Sequence, residues 1–163
     1  MKRLVIIALW IIHFLLFTGC IEQNQEREKH SPPKNSILIA DTITVDVTLR
    51  AQDLTNIWEV EQHKYVNQKA FVDYIFNGIY QKQLKTYDFF TGEEMSVRDV
   101  KKIEAEPGYS RDFISKIQFK EFWYIDSAGN LQKRIFCYTL GYEKKSEQGT
   151  FMGHKALFTI RLQ

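Results

Sequence analysis

Alternation of apolar and polar residues in the last third of the chain constrains the fold more than any other feature. In residues 113–125 and again in 131–142, large apolar side chains fall on alternate positions. Period two is typical of a half-buried strand, because successive side chains point to opposite faces of the sheet. Residues 127–130 between the two runs contain Gly129 and predict a hairpin turn. A second turn at Gly149 and a last strand over 156–162 complete a three-strand meander.

An N-terminal strand is predicted over residues 37–49, with Asp41 as the one interruption and a bend there. Its odd positions are apolar and rich in branched side chains, which suits a strand: Ile37, Ile39, Ile43, Val45, Val47 and Leu49. Two shorter extended segments are expected, one around Trp58, Val60 and Val66 and one over residues 86–90.

Two amphipathic helices are predicted between these strands. Asn67 is the predicted N-cap of the first, and Gly78 within it implies a close packing partner. Ser96 and Asp99 have capping-box spacing and open a second helix that runs to about Glu104. The stripe that marks the first helix is Phe71, Tyr74, Ile75, Gly78 and Ile79.

The expected fold class is therefore α+β, in one domain over residues 37–163. An antiparallel sheet, made of the C-terminal meander plus the N-terminal strand, packs with the two amphipathic helices.

The first residues predict export. Lys2 and Arg3 precede an apolar run of fourteen residues over 4–17, which spans about 21 Å as a helix, short of the roughly 30 Å of a bilayer core. Residues 1–19 therefore read as a signal peptide. Thr18, Gly19 and Cys20 resemble the lipobox of bacterial lipoproteins, and that resemblance implies a lipid-modified Cys20 at the mature N-terminus. An ordinary signal peptide with an incidental cysteine is the alternative.

Residues 20–36 are polar and contain Pro32 and Pro33, which predicts a flexible tether between Cys20 and the domain. The expected location is the bacterial cell envelope, with the protein lipid-anchored to the outer membrane on its periplasmic face.

Charge excludes a nucleic-acid partner. The chain has 22 Lys and Arg residues against 20 Asp and Glu residues, and the excess consists of Lys2 and Arg3 in the signal. The mature chain is therefore balanced and has no basic cluster of the kind that binds phosphate backbones.

Neither a catalytic nor a metal site is predicted, and no cofactor is expected. Cys137 lies in the middle of a predicted strand, where a buried structural thiol is the better interpretation. His30, His63 and His154 are scattered, whereas a metal site needs closely spaced ligands. The glycines are isolated, so a phosphate-binding loop is not predicted. The protein is expected not to be an enzyme.

The hairpin strands contain the candidate site residues. Glu121 shares a face with apolar residues, where a carboxylate needs a partner. Arg134 or Lys120 could supply it, and the hairpin favours a structural ion pair of Glu121 with Arg134. The second faces of the strands could present a partner surface, unless both faces are buried. The residues of that surface are Phe122, Tyr124, Phe136 and Tyr138.

Residues 57–163 resemble the GldN/PorN family of gliding motility and type IX secretion. The stretch FVDYIFNGIYQKQLKTYD resembles the family's amphipathic helix leading into a Tyr-Asp strand, while Ala156 and Thr159 depart from its last strand. The residues that carry the resemblance in the sheet are Glu121, Trp123, Asp126, Arg134, Ile135, Leu157 and Phe158. The resemblance implies a secretion-ring protein that docks onto an envelope lipoprotein. A lipid on the chain itself would make it a divergent form.

The expected function is therefore a non-enzymatic envelope scaffold that binds a lipoprotein partner or itself. The alternative is a lipid-anchored module that binds a small ligand, peptide or glycan in an aromatic cleft between helix and sheet.

Overall fold

A computed structural model describes residues 32–162 of the protein. The predicted signal peptide, Cys20 and most of the predicted tether lie outside the described residues. The elements in chain order are β1 (Ile37–Thr48), α1 (Ile57–His63), α2 (Gln68–Tyr80), β2 (Thr86–Tyr87), β3 (Glu94–Met95), α3 (Val97–Glu104), β4 (Ile114–Ile125), β5 (Leu131–Lys145) and β6 (Phe151–Arg161).

The six strands form one antiparallel sheet in the order β1-β4-β5-β6-β2-β3. The predicted α+β fold is confirmed, and β4, β5 and β6 are the predicted meander. Asp126 organises the first hairpin turn, because its carboxylate accepts hydrogen bonds from the amides of Ala128 and Asn130, both at 2.9 Å. Gly129 has φ +84°, which glycine adopts without a steric penalty.

Both predicted helices are present, and their caps explain where they begin. The Asn67 side chain accepts from the amide of Ala70 at 3.0 Å at the start of α2. At the start of α3, Ser96 and Asp99 bond each other's amides reciprocally. The apolar side of α2 lies on the sheet and forms the core with Val100 of α3 and with strand residues; the buried side chains of α2 are Val72, Ile75, Phe76 and Ile79.

Gly78 has the close neighbour that its position in α2 implied. A Cβ at residue 78 would lie 2.8 Å from Leu84 Cδ1, nearer than real Cβ atoms approach.

Two local predictions were wrong. The segment around Trp58 and Val60 is the helix α1 rather than an extended piece, because Asn56 accepts from the amide of Glu59 and begins a helical turn. The last strand begins at Phe151 rather than 156, because Glu143 and His154 continue the pairing of β5 with β6 toward the turn.

Register shifts interrupt the pairing of β1 with β4, of β4 with β5 and of β5 with β6, and two of them bear on the predictions. The expected bend in β1 is a shift between Ala40 and Ile43, where Thr42 has φ +48°. A second shift separates the pair Lys120–Cys137 from the pair Glu121–Ile135, so Phe136 is an extra residue on β5. Such a bulge changes which residues share a face beyond it.

The pairing of β5 with β6 begins at Cys137. The first residues of β5 therefore extend past β6, and they pair only with the end of β4, which in turn pairs with the start of β1. We call this three-stranded part the projecting sheet end, and it consists of residues 37–40, 123–125 and 131–133.

None of the helices within residues 32–162 is long and apolar enough to cross a bilayer.

Candidate functional site

The structure gives Glu121 a different cation from the one predicted. The Glu121 side chain is 2% exposed, and its carboxylate accepts a hydrogen bond from Trp123 Nε1 at 2.8 Å. Lys133 Nζ lies 3.9 Å from the other carboxylate oxygen. The predicted pair with Arg134 was wrong, because the register beyond the bulge sets Glu121 opposite Ile135 and Arg134 opposite Phe122. Glu121 is nevertheless a buried, partnered carboxylate.

The four aromatic residues predicted as a partner surface do not share one exposed face. Phe122 is 1% exposed and Tyr138 is 9% exposed, while Tyr124 and Phe136 are half-buried. Tyr138 lies on the helix side of the sheet, where its ring is 6.4 Å from that of Phe71. Burial raises the pKa of Tyr138 to about 12. Phe122 lies on the opposite side, so the alternative that both faces are buried describes these residues better.

Four of the most exposed large apolar side chains in residues 32–162 lie instead around α1. Exposed fractions are 80% for Leu54, 79% for Ile57, 72% for Trp58 and 88% for Tyr65. None of the seven residues of α1 is buried. We call residues 54, 57, 58 and 65 the α1 surface. The sequence pattern predicted a short extended segment here, and the signal that indicates a helix instead is the N-cap Asn56 followed by large apolar residues.

Polar contacts rather than a core hold α1 on the domain. The Glu59 carboxylate accepts from the amides of Gln52 at 2.5 Å and Asp53 at 3.3 Å. His63 Nε2 lies 2.7 Å from Thr48 Oγ1 at the end of β1. Helices this short are marginal without packing, so these bonds fix α1 while its apolar side chains remain in water.

A partly buried polar cluster, centred on the buried residues Ser115 and Glu143, lies where β4, β5 and β6 meet the segment after β1. Arg50 binds Glu143 through two hydrogen bonds, from Nε at 2.8 Å and from Nη2 at 2.5 Å. The Gln52 amide donates to Glu143 at 3.3 Å and to Ser115 at 3.4 Å. Ser115 Oγ lies 2.9 Å from His154 Nε2.

The Ser115–His154 distance is that of a nucleophile and its base, but the surroundings favour a structural role. Ser115 is 0% exposed, and Gln52 and His154 already contact its hydroxyl, so a substrate carbonyl has no path to it. Glu143 is paired with Arg50 rather than with the imidazole. Burial lowers the pKa of His154, and the nearby charge of Lys116 lowers it further. Sequence reasoning missed this cluster because its members are far apart in the chain.

A shallow cleft of about 330 Å³ lies between residues 87–92 and the sheet. The Arg161 guanidinium stacks 4.0 Å from the ring centroid of Tyr87. The Asp88 carboxylate accepts from the amides of Phe90 and Thr91, which lowers the pKa of Asp88 and orders the loop. Phe90 is 85% exposed at the rim. The cleft is aromatic, as the binding alternative expects, but it lies under a loop rather than under a helix.

Metal ligands do not gather in the described part of the chain: residues 32–162 contain no group of three or more His, Cys, Asp or Glu side chains placed to hold an ion. Comparison with protein-family models, with curated proteins and with solved structures finds no match. The resemblance to the GldN/PorN family stays a prediction.

Proposed function

We propose that this protein is a non-enzymatic scaffold of the bacterial cell envelope, held on the outer membrane by acylated Cys20 and joined to a protein partner through the α1 surface. Gliding-motility and type IX secretion ring proteins are the expected functional relatives. The observation that carries the proposal is the α1 surface itself, four large apolar side chains between 72% and 88% exposed within one short segment.

The energetics of these side chains favour a protein partner. Complete burial of one such side chain stabilises a complex by about 1.5–3 kcal/mol. Tyr and Trp are enriched among the residues that dominate binding energies. A short helix that presents Ile57 and Trp58 suits an apolar groove on the partner. The partner is an envelope protein, and a second copy of this chain is a distinguishable outcome of the test below.

The loop cleft supports a second candidate, a lipid-anchored module that binds a small ligand, peptide or glycan. Its volume of about 330 Å³ is at the low end for ligand sites. Phe90 at its rim and Arg161 stacked on Tyr87 provide the aromatic and cationic contacts that such a ligand needs.

The test is recovery of partners from native membranes with the full acylated chain in mild detergent. Trp58→Ser removes an exposed aromatic ring from the α1 surface, and Phe90→Ser removes one from the cleft, so the two variants are matched. Loss of a central aromatic contact of about 2 kcal/mol lowers affinity roughly 30-fold. We expect Trp58→Ser to abolish recovery of the partner and Phe90→Ser to leave it unchanged.

Other outcomes separate the candidates. Recovery of only the monomer from the unmodified chain would contradict the scaffold. Loss of binding in Phe90→Ser with retention in Trp58→Ser would favour the cleft. A chain that pulls down only its own tagged copy would establish self-association.

A further inference from the structure

The projecting sheet end is an exposed apolar patch that spans three neighbouring strands. Ile37 is 66% exposed, Leu38 46%, Ile39 54% and Leu131 61%. In the register, Ile37 pairs with Ile125 and Ile125 pairs with Leu131, so these three side chains lie side by side on one face at about 4.8 Å strand spacing, whereas Leu38 pairs with Tyr124 and points to the other face. The patch lies at the end of β1 opposite to the one that α1 contacts.

Aromatic and cationic side chains surround this patch. Trp123 and Tyr124 are half-buried at the end of β4, next to the exposed cations Lys133 and Arg134. Lys34, three residues before β1, is also exposed. Trp and Tyr favour the boundary between hydrocarbon and headgroups, and Lys and Arg are attracted to lipid phosphates.

The carboxylates nearby are engaged within the protein. Asp126 accepts hydrogen bonds from the amides of the hairpin turn and from the Gln132 side chain at 3.1 Å. Glu121 accepts from Trp123, and Asp41 accepts from the hydroxyl of Thr42. Three cations (Lys34, Lys133 and Arg134) and three carboxylates (Asp41, Glu121 and Asp126) therefore balance in formal charge at this end, and Lys133 lies 3.9 Å from Glu121. Apolar contact rather than net charge favours lipid here.

The path of the chain places this patch nearest to the proposed anchor. Ile37 follows Cys20 by seventeen residues, which span at most about 60 Å when fully extended, and roughly 20–25 Å on average for the flexible tether predicted from their composition. The other end of β1, with α1, lies roughly 35 Å further along the twelve-residue strand. Because the connection is short, it holds the patch at a high effective concentration near the bilayer that carries Cys20. A weak contact between the patch and lipid is therefore enough for the two to associate.

We propose that the projecting sheet end lies in the headgroup region of the phospholipid bilayer that holds Cys20. This inference rests on the proposed lipid anchor. Ile37 and Leu131 enter the acyl boundary, while the exposed Lys34 and Arg134 meet phosphates. With its first residues at the membrane, β1 extends away from the bilayer, so the α1 surface at its far end faces the partner.

The experiment measures how close Trp123 lies to lipid. The full acylated chain is reconstituted into phosphatidylethanolamine–phosphatidylglycerol vesicles, with and without brominated acyl chains that quench indole fluorescence. Trp58→Phe leaves Trp123 as the one tryptophan after the predicted signal. We expect about twofold quenching of Trp123, because interfacial segments lie within about 5–10 Å of the acyl boundary.

Matched variants locate the contact. Ile37→Asp with Leu131→Asp should remove the quenching, and Leu54→Asp with Ile57→Asp should not, although both pairs replace exposed aliphatic side chains. Unquenched Trp123 on vesicle-bound protein would overturn the inference and leave the anchor intact. Equal quenching in both double variants would overturn it as well. The anchor is tested separately, because Cys20→Ala should no longer sediment with vesicles.

Discussion

Replacing Arg50 by methionine should destabilise the fold by leaving the Glu143 carboxylate buried without its main cation. The Glu143 side chain is 2% exposed, and Arg50 supplies two charge-assisted hydrogen bonds to it. Breaking a fully buried ion pair costs about 3–5 kcal/mol. The cost here should be smaller, because 34% of the Arg50 side chain is exposed and Lys145 Nζ lies 3.8 Å from Glu143. We expect a loss of about 2–3 kcal/mol, or about 10 °C in Tm.

The pH dependence identifies the mechanism. Burial raises the pKa of Glu143, but the hydrogen bonds and charge of Arg50 outweigh it, so the pKa lies below its usual value of 4.5. The pair's stabilisation is therefore present above pH 4.5 and is lost as the pH falls through the lower, folded-state pKa. Without Arg50 the effect of burial dominates, so the pKa of Glu143 rises. Protonation of Glu143 then removes the buried charge and restores part of the variant's stability.

The assay is urea unfolding of both proteins at pH 7 and at about pH 4. The stability difference between Arg50→Met and the unmodified chain should shrink at the lower pH. The double variant Arg50→Met with Glu143→Gln should recover much of the stability at pH 7, and Lys64→Ala, which breaks the exposed pair with Glu61, should have almost no effect. An equal loss at both pH values would refute an origin in the Glu143 carboxylate.

Two further predictions concern the core. Gly78→Ala should lower the free energy of unfolding, measured by urea unfolding, by about 1 kcal/mol, since the clash with Leu84 outweighs the gain in helix propensity. The control is Asn77→Ala, which changes an exposed residue of the same helix and should not destabilise the protein. If Gly78→Ala instead raised the free energy of unfolding, the close contact with Leu84 would be contradicted. Ultraviolet titration should show Tyr138 ionising near pH 12. Because the unfolded chain releases this proton near its ordinary pKa of 10.0, Tyr138 should lower stability as the pH rises from 10 toward 12. Tyr138→Phe should remove this loss of stability between pH 10 and 12. If stability depended on pH in the same way in Tyr138→Phe, the burial of Tyr138 would not be the cause of the loss.

Short-range patterns explain why much of the fold could be predicted. Each pattern acts within a few residues. The alternation of apolar and polar residues in β1, β4 and β5 indicates which side chains share a face of the sheet. The capping box of Ser96 and Asp99 forms hydrogen bonds with backbone amides within one helical turn. Gly78 predicted a close neighbour because glycine inside a helix needs such a reason.

The misplaced site residues depend on features that no short window contains. One extra residue at Phe136 changes the register of β4 with β5, which separates Glu121 from Arg134 and sends Phe122 and Tyr138 to opposite sides of the sheet. The Arg50–Glu143 pair joins residues 93 positions apart. The α1 surface was missed because exposure depends on what packs nearby, and a helix with no buried residue looks the same in sequence as one that lies on a core.

The sequence by itself determined the strand alternation, the hairpin turn, the helix caps and the expectation of a lipid anchor at Cys20, because each depends on chemistry within a few neighbouring residues. Only the tertiary structure decided which side chains are buried, which cation meets which carboxylate, and that the exposed apolar side chains gather at α1 and at the projecting sheet end. The physical reason is that burial and pairing depend on strand register, and a single bulge changes the register for every residue beyond it.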